Sequence, residues 1–357
     1  MMWKEQKARG IKAQTLFEKE FEDGQFKNRK DNIFHGCWVV SPKAIDSHKT
    51  RLCVFVHDKI ENEISSELEI KKIMGEKWKS FYAIAEFLKN AGFEVAYTIT
   101  STNDGRINFD SILKRDFSFM KWNFFRYNNE KLEIKNISEF FVKWEGSGRP
   151  TFQSKKWEDK NMISAFTSLE EEKLLSMLIH ELFYTGFLKS VLKKPTDDPY
   201  DIDGFVISLS QKHVLPVEMK EKFPVFSTYV RTGKRREHYF GIDAGRILSL
   251  LRICIPNNSN ALYIVREVED GTRKFKKWKY VTLSKIIMSS GWNLQAGGRG
   301  MGGSDTQTVR IPYDEFEDID ESTFSEDNLK KISNLPDEIR KTVNEFKAHA
   351  EKQMNVK

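Results

Sequence analysis

Cysteine is scarce. There are three, Cys37, Cys53 and Cys254, in 357 residues, far apart and with no CxxC pair or Cys/His cluster. That spacing argues against a structural zinc and a disulfide-stapled scaffold, and fits a reducing cytosol. No uninterrupted apolar run approaches the ~18 residues that a membrane-spanning helix needs. The first residues, Met-Met-Trp-Lys-Glu-Gln-Lys-Ala-Arg, contain no apolar h-region, so no signal peptide is expected. Internal repeats are absent. Two motifs are incomplete. His180-Glu181 has tyrosine at 184, where a zinc protease needs its second histidine. Gly298-x-Gly300-x-x-Gly303 is followed by Ser-Asp-Thr-Gln-Thr-Val-Arg-Ile-Pro312 rather than a helix pattern, so it does not read as a dinucleotide fingerprint.

What is present is a core-forming composition. Hydrophobic residues make 39% and aromatics 13% of the chain, and the mean hydropathy of −0.55 indicates a soluble protein. The net charge of +6 permits a polyanionic partner without demanding one. Residues 1–30 read as a charged helix with Leu16, Phe17 and Phe21 as its apolar edge. Cys37–Val40 and Arg51–His57 read as strands. Trp78, Phe81, Ala85 and Leu88 recur at helical spacing before Gly92, and Glu94–Thr100 completes a strand-helix-strand unit. The aromatic-basic stretch 114–127 reads as core strands rather than a stacking platform. Gly146–Pro150 is a plausible boundary. Ser168-Leu-Glu-Glu171 is a capping box that opens a helix through about Leu192. Further on, Gly241–Ile255 reads as helix, Ala261–Val268 and Trp278–Leu283 as strands, and Leu283–Ser289 as a short helix. Asp314–Asp327 reads as an acidic solvated linker, and Pro336–Lys352 as an amphipathic helix.

The chemistry gathers in Asp201-Ile-Asp203-Gly and Val214-Leu-Pro-Val-Glu218-Met-Lys220. These apolar runs read as the two strands of a hairpin. Residues two apart share a strand face, so Glu218 and Lys220 project together, within reach of an aspartate from the neighbouring strand. Carboxylates and an ammonium at the end of apolar strands cost free energy to bury, a cost usually tolerated for metal and phosphate chemistry.

An acid on a helix, an aspartate on one strand and an acid-x-lysine on the next resemble the core of the PD-(D/E)XK nuclease superfamily, the fold of many type II restriction endonucleases. The resemblance covers roughly residues 168–290. It implies an α/β fold with a restriction-endonuclease-like core, a central mixed β-sheet flanked by helices, and an N-terminal α/β region. It places the catalytic roles on Glu181, Asp203, Glu218 and Lys220, with Asp203, Glu218 and Glu181 as metal ligands and Asp201 as the alternative to Asp203. It implies Mg²⁺, for which Mn²⁺ can substitute. Lys220 would orient or deprotonate the attacking water. The expected layout is residues 1–165 for DNA recognition or dimerisation, 166–312 for the catalytic core with its glycine-rich loop, and 313–357 for the acidic linker and final helix.

The expected activity is Mg²⁺-dependent cleavage of double-stranded DNA by a cytoplasmic homodimer with no membrane association. A structure-specific repair or defence nuclease of the same fold is the alternative, and a non-catalytic nucleic-acid-binding protein is another. For DNA contact the candidates are Arg231, Lys234, Arg235 and Arg236 in a basic turn, and Arg299, Gln307 and Arg310 in the loop 295–310. Arg246 either faces the site or pairs with Asp243.

Overall fold

The computed structural model describes residues 2–41, 51–61, 64, 66–102, 111, 116, 118–141, 179–180, 182–183, 187–188, 200–227, 237–289, 295–296 and 307–354. The chain is α/β, with a large mixed β-sheet flanked by helices. It forms two compact units, one of residues 3–18 and 34–204, the other of residues 19–33 and 205–357. The boundary expected at 165/166 lies outside the described residues.

In the first unit, α1 (Met2–Glu22) contributes its residues up to 18. The strands are β1 (Ile33–Val40), β2 (Arg51–Ile60), β3 (Phe93–Thr102), β4 (Met120–Asn128), β5 (Lys131–Lys135) and the start of β6 (Tyr200–Ile207). Their order is β6-β1-β2-β3-β4-β5. β2 and β3 are parallel and the β1–β2, β3–β4 and β4–β5 pairs antiparallel. The parallel pair is joined through α2 (Glu67–Met74) and α3 (Lys77–Asn90). Ser66 and Glu69 form a capping box that starts α2. In α3, Phe81, Ile84, Ala85 and Leu88 are fully buried at helical spacing, and Gly92 follows the helix at φ +80°, a conformation that favours glycine. The strand-helix-strand expectation is met. For its described part on β4, so is the reading of 114–127 as core, because Phe124, Phe125 and Tyr127 are buried there, while 114, 115 and 117 lie outside the described residues. The opposite face of this sheet buries Trp38, Val40, Leu52, Val54 and Val56 with Phe183, Phe187 and Leu188. A short helix, α4 (Ile137–Phe141), adds Ile137 to that cluster.

In the second unit, β7 (Val214–Lys222), β10 (Leu262–Val268), β11 (Phe275–Thr282) and β14 (Glu317–Asp318) run in the order β14-β11-β10-β7. A smaller sheet has the order β12-β13-β9-β8, with β8 Val225–Ser227, β9 Glu237–Asp243, β12 Gln295–Ala296 and β13 Gln307–Pro312. Helices α5 (Ala244–Cys254) and α6 (Leu283–Ser289) pack on a core that includes Ile247, Leu250, Tyr263, Ile286 and Val309. α7 (Glu326–Ser333) and α8 (Asp337–Met354) follow.

The acidic stretch 314–327 is not a solvated linker. Phe316 and Ile319 are buried, and Phe324 packs edge-on against Phe21 and Phe26 at 4.8 and 5.2 Å. Its acids are matched by cations and hydroxyls. Asp318 pairs with Lys277 at 2.8 Å and Lys279 at 2.6 Å, and Tyr280 donates to Glu317 at 2.9 Å. The expected helix at 241–255 begins three residues later, because Gly241–Asp243 belong to β9 and pair with Thr308–Arg310 of β13.

Candidate active site

The end of β6 and the start of β7 turn through residues 208–213 in the second unit. Ser208 donates its N–H to the His213 carbonyl at 2.9 Å, and Gln211 takes φ +60°. The expected hairpin is closed there. β7 then runs parallel to β10, with Glu218 opposite Tyr263 and Lys220 opposite Val265. Val214, Leu215 and Val217 sink its first half into the core. Alternation then splits its charges between two faces.

One face carries Glu218, Lys220 and Lys222. Glu218 is only 2% exposed. The Lys220 ammonium lies 2.7 Å from its Oε1, and Nε of Arg246, in the first turn of α5, lies 3.6 Å from the same oxygen. Lys220 keeps 33% of its side chain exposed and Arg246 25%. Oε1 has these ion contacts but no aligned hydrogen bond. Burial pushes the Lys222 ammonium down to about 8, and the charge on Lys220 adds to this, while Asp243 and Glu218 oppose it. The other face carries Glu221, which accepts hydrogen bonds from Arg266 at 2.7 Å and from two nitrogens of Arg273 at 2.6 and 3.1 Å.

Of the two readings of Arg246, its approach to the site is realised by this contact with Glu218. Asp243 is the N-cap residue of α5 but makes no side-chain capping bond, and no acid lies in the first turn.

In the first unit, Asp203 is 4% exposed and accepts a hydrogen bond at Oδ1 from the Gln14 amide of α1. The strand backbone is approached closely there. A Cβ on Gly36 of β1 would overlap the Ile202 carbonyl oxygen and crowd the Asp203 carbonyl. Asp201 is half-buried on the same face, and its negative charge helps hold the buried Cys37 thiol high, after burial itself and the neighbouring Cys53. The same charge partly offsets the burial that pushes His180 down to about 4. Nothing in the sequence marks Gln14 as a partner of Asp203, although its spacing to Phe17 and Phe21 places it beside an apolar stripe.

Glu181, Arg231, Lys234, Arg235, Arg236 and Arg299 lie outside the described residues. Gln307 is exposed at the start of β13, and Arg310 on the same strand stacks its guanidinium over Tyr239 at 5.0 Å. Both ends of the expected loop 295–310 are therefore strand, paired as β12 and β13.

Mg²⁺ takes hard oxygen donors, keeps several waters and commonly uses one or two carboxylates. Glu218, with a buried oxygen that lacks an aligned hydrogen bond, fits such an ion, and the Asp203 carboxylate is of the same donor type. Among the described residues, no three His, Cys, Asp or Glu side chains are gathered into a ready-made metal cage. No described helix is long and apolar enough to cross a membrane. No family model, curated protein or solved structure matches this chain.

Proposed function

We propose that this chain is a Mg²⁺-dependent endonuclease that hydrolyses double-stranded DNA, similar to type II restriction enzymes and acting as a cytoplasmic homodimer. The observation that carries the reading is the buried Glu218 carboxylate with the Lys220 ammonium 2.7 Å away, on a strand that runs parallel to the one reached through α5. The second acid that the family resemblance implies is Asp203, or Asp201 in its place. The net charge of +6 suits a polyanionic substrate.

In the reaction a water oxygen bonds to phosphorus, the bond to the leaving sugar oxygen breaks, and the water's proton ends on that oxygen. A bound Mg²⁺ would acidify this water and offset charge on the phosphoryl oxygens. Lys220 holds the water and the phosphate in line. Glu218 fixes the Lys220 ammonium, and its carboxylate would be a ligand for the metal. Asp203 is oriented by Gln14.

The test is digestion of a plasmid of known sequence with Mg²⁺ by wild type and by Lys220→Ala. Discrete fragments from wild type, with a loss on the order of 10²-fold or more in the variant, are expected when a group that positions the attacking water and the phosphate is removed. Equal rates would remove Lys220 from the mechanism. A smear, or cutting confined to branched or single strands, would move the substrate to the structure-specific class. No cleavage in Mg²⁺ or Mn²⁺ would leave a non-catalytic binding protein.

A further inference from the structure

Two cations, not one, address Glu218. Lys220 comes from the same strand and Arg246 from α5, and a single carboxylate oxygen meets both. The position of Arg246 is electrostatically unfavourable in isolation. It stands in the first turn of an 11-residue helix, where the backbone dipole is already positive and acids are the stabilising choice. The N-cap aspartate does not use its side chain to close the first N–H groups. Lys222 adds a third cation on the strand face of Glu218 and Lys220, and it is held low partly by the charge of Lys220. Positive potential from a strand and from a helix start is thus concentrated around one buried acid, and Arg246 keeps a quarter of its side chain open to solvent. A guanidinium so placed can exchange a carboxylate for a phosphate without moving its helix, because each presents a pair of anionic oxygens that the guanidinium fork can meet.

We propose that Arg246 is a second phosphate-binding residue of this site beside Lys220, and that it turns from Glu218 to a non-bridging oxygen of the substrate's phosphodiester when DNA binds. The assignment deepens the nuclease reading and rests on it for the identity of the reaction, though not for anion binding. Arg246 keeps its proton throughout. It contributes charge and orientation, and no bond is made or broken on it.

The experiment has two arms on the full chain. In the first, a fluorescent mixed-sequence duplex is titrated without divalent metal across a salt series, using wild type, Arg246→Gln and Arg246→Lys. Arg246→Gln should bind about 10-fold more weakly and lower the slope of log affinity against log salt by about one, the signature of one lost phosphate contact. Arg246→Lys keeps the charge and should keep the slope. In the second arm, cleavage with Mg²⁺ is measured. Arg246→Lys should lose kcat with little change in KM, because a point charge replaces a bidentate fork. Wild-type affinity and salt slope in folded Arg246→Gln would overturn the proposal. If Arg246→Gln does not fold, a lower slope in Arg246→Lys would also overturn it, and a retained slope with reduced kcat would support it. A wild type whose binding depends on Arg246 but which never cleaves would overturn the nuclease reading and leave the phosphate assignment standing. A wild type that neither binds nor cleaves overturns both.

Discussion

Glu221 offers the sharpest test of how β7 divides its work between two faces. It is one residue from Lys220 in sequence, yet its carboxylate is 5% exposed and is held by Arg266 and Arg273. Replacing it by glutamine preserves shape and removes the charge. Three charge-assisted hydrogen bonds are weakened together, and two guanidinium groups whose charges already oppose one another remain side by side. Breaking a buried pair by removing one partner costs about 3–5 kcal/mol, because the remaining charge stays desolvated. Arg273 keeps part of its side chain in water, which places the expected loss for Glu221→Gln near the lower figure, about 3 kcal/mol. At about 3 °C per kcal/mol for a unit of this size, the melting temperature should fall by roughly 10 °C. Urea denaturation monitored by circular dichroism measures the first number and calorimetry the second. Below its melting transition the variant should match wild type in the plasmid digestion that tests the proposed function, since Glu218 and Lys220 project from the opposite face. A loss of less than about 1 kcal/mol would refute the reasoning, since that is the range of a surface ion pair.

Two further outcomes are expected in the first unit. Gly36→Ala should cost about 3 kcal/mol or prevent folding, since its new methyl overlaps the Ile202 carbonyl, and a neutral effect in urea denaturation would place that contact in error. His180 should make the protein acid-sensitive. Burial holds its ring at about 4 against 6.5 in the unfolded chain, with His57 adding to the effect and Asp58, Asp201 and a bond to the Val56 backbone opposing it. The unfolded state then binds the extra proton, so stability is complete above pH 6.5 and is lost as pH falls towards 4, by at most about 3 kcal/mol given the partial exposure of the residue. His180→Gln should flatten that part of the stability-pH curve, and an unchanged slope would rule the ring out as its source.

Periodicity made much of the local structure legible. The spacing of Phe81, Ala85 and Leu88 located α3, the glycine after it marked the stop, and Leu283–Ser289 was read with its observed bounds. These features depend on neighbours within a turn or two. The acidic segment 314–327 was misread because its buried positions, Phe316, Ile319 and Phe324, follow no helical or strand period, and because the cations that match its acids lie about 40 residues away on β11. The same distance effect hid Gln14, whose partner Asp203 is 189 residues further on. Glu218 and Lys220 stand out in the sequence because their spacing puts two charged groups on one strand face, where they lie 2.7 Å apart. Glu221 does not, since its meaning comes from arginines 45 and 52 residues later. Arg246 lies between: helical phase allows it to face the site or Asp243, and the packing of α5 beside β7 brings it to Glu218.

The scarcity of cysteine acquires a use once the thiols are located. Cys37 and Cys53 are buried in the first unit and Cys254 in the second. Burial raises the pKa of Cys37 and Cys254, so these two stay protonated and unreactive while their cores are closed. A thiol reagent reaches each of them only when the surrounding core opens. Labelling kinetics resolved by peptide therefore report the opening free energy of each unit separately, on the natural chain and without any introduced probe.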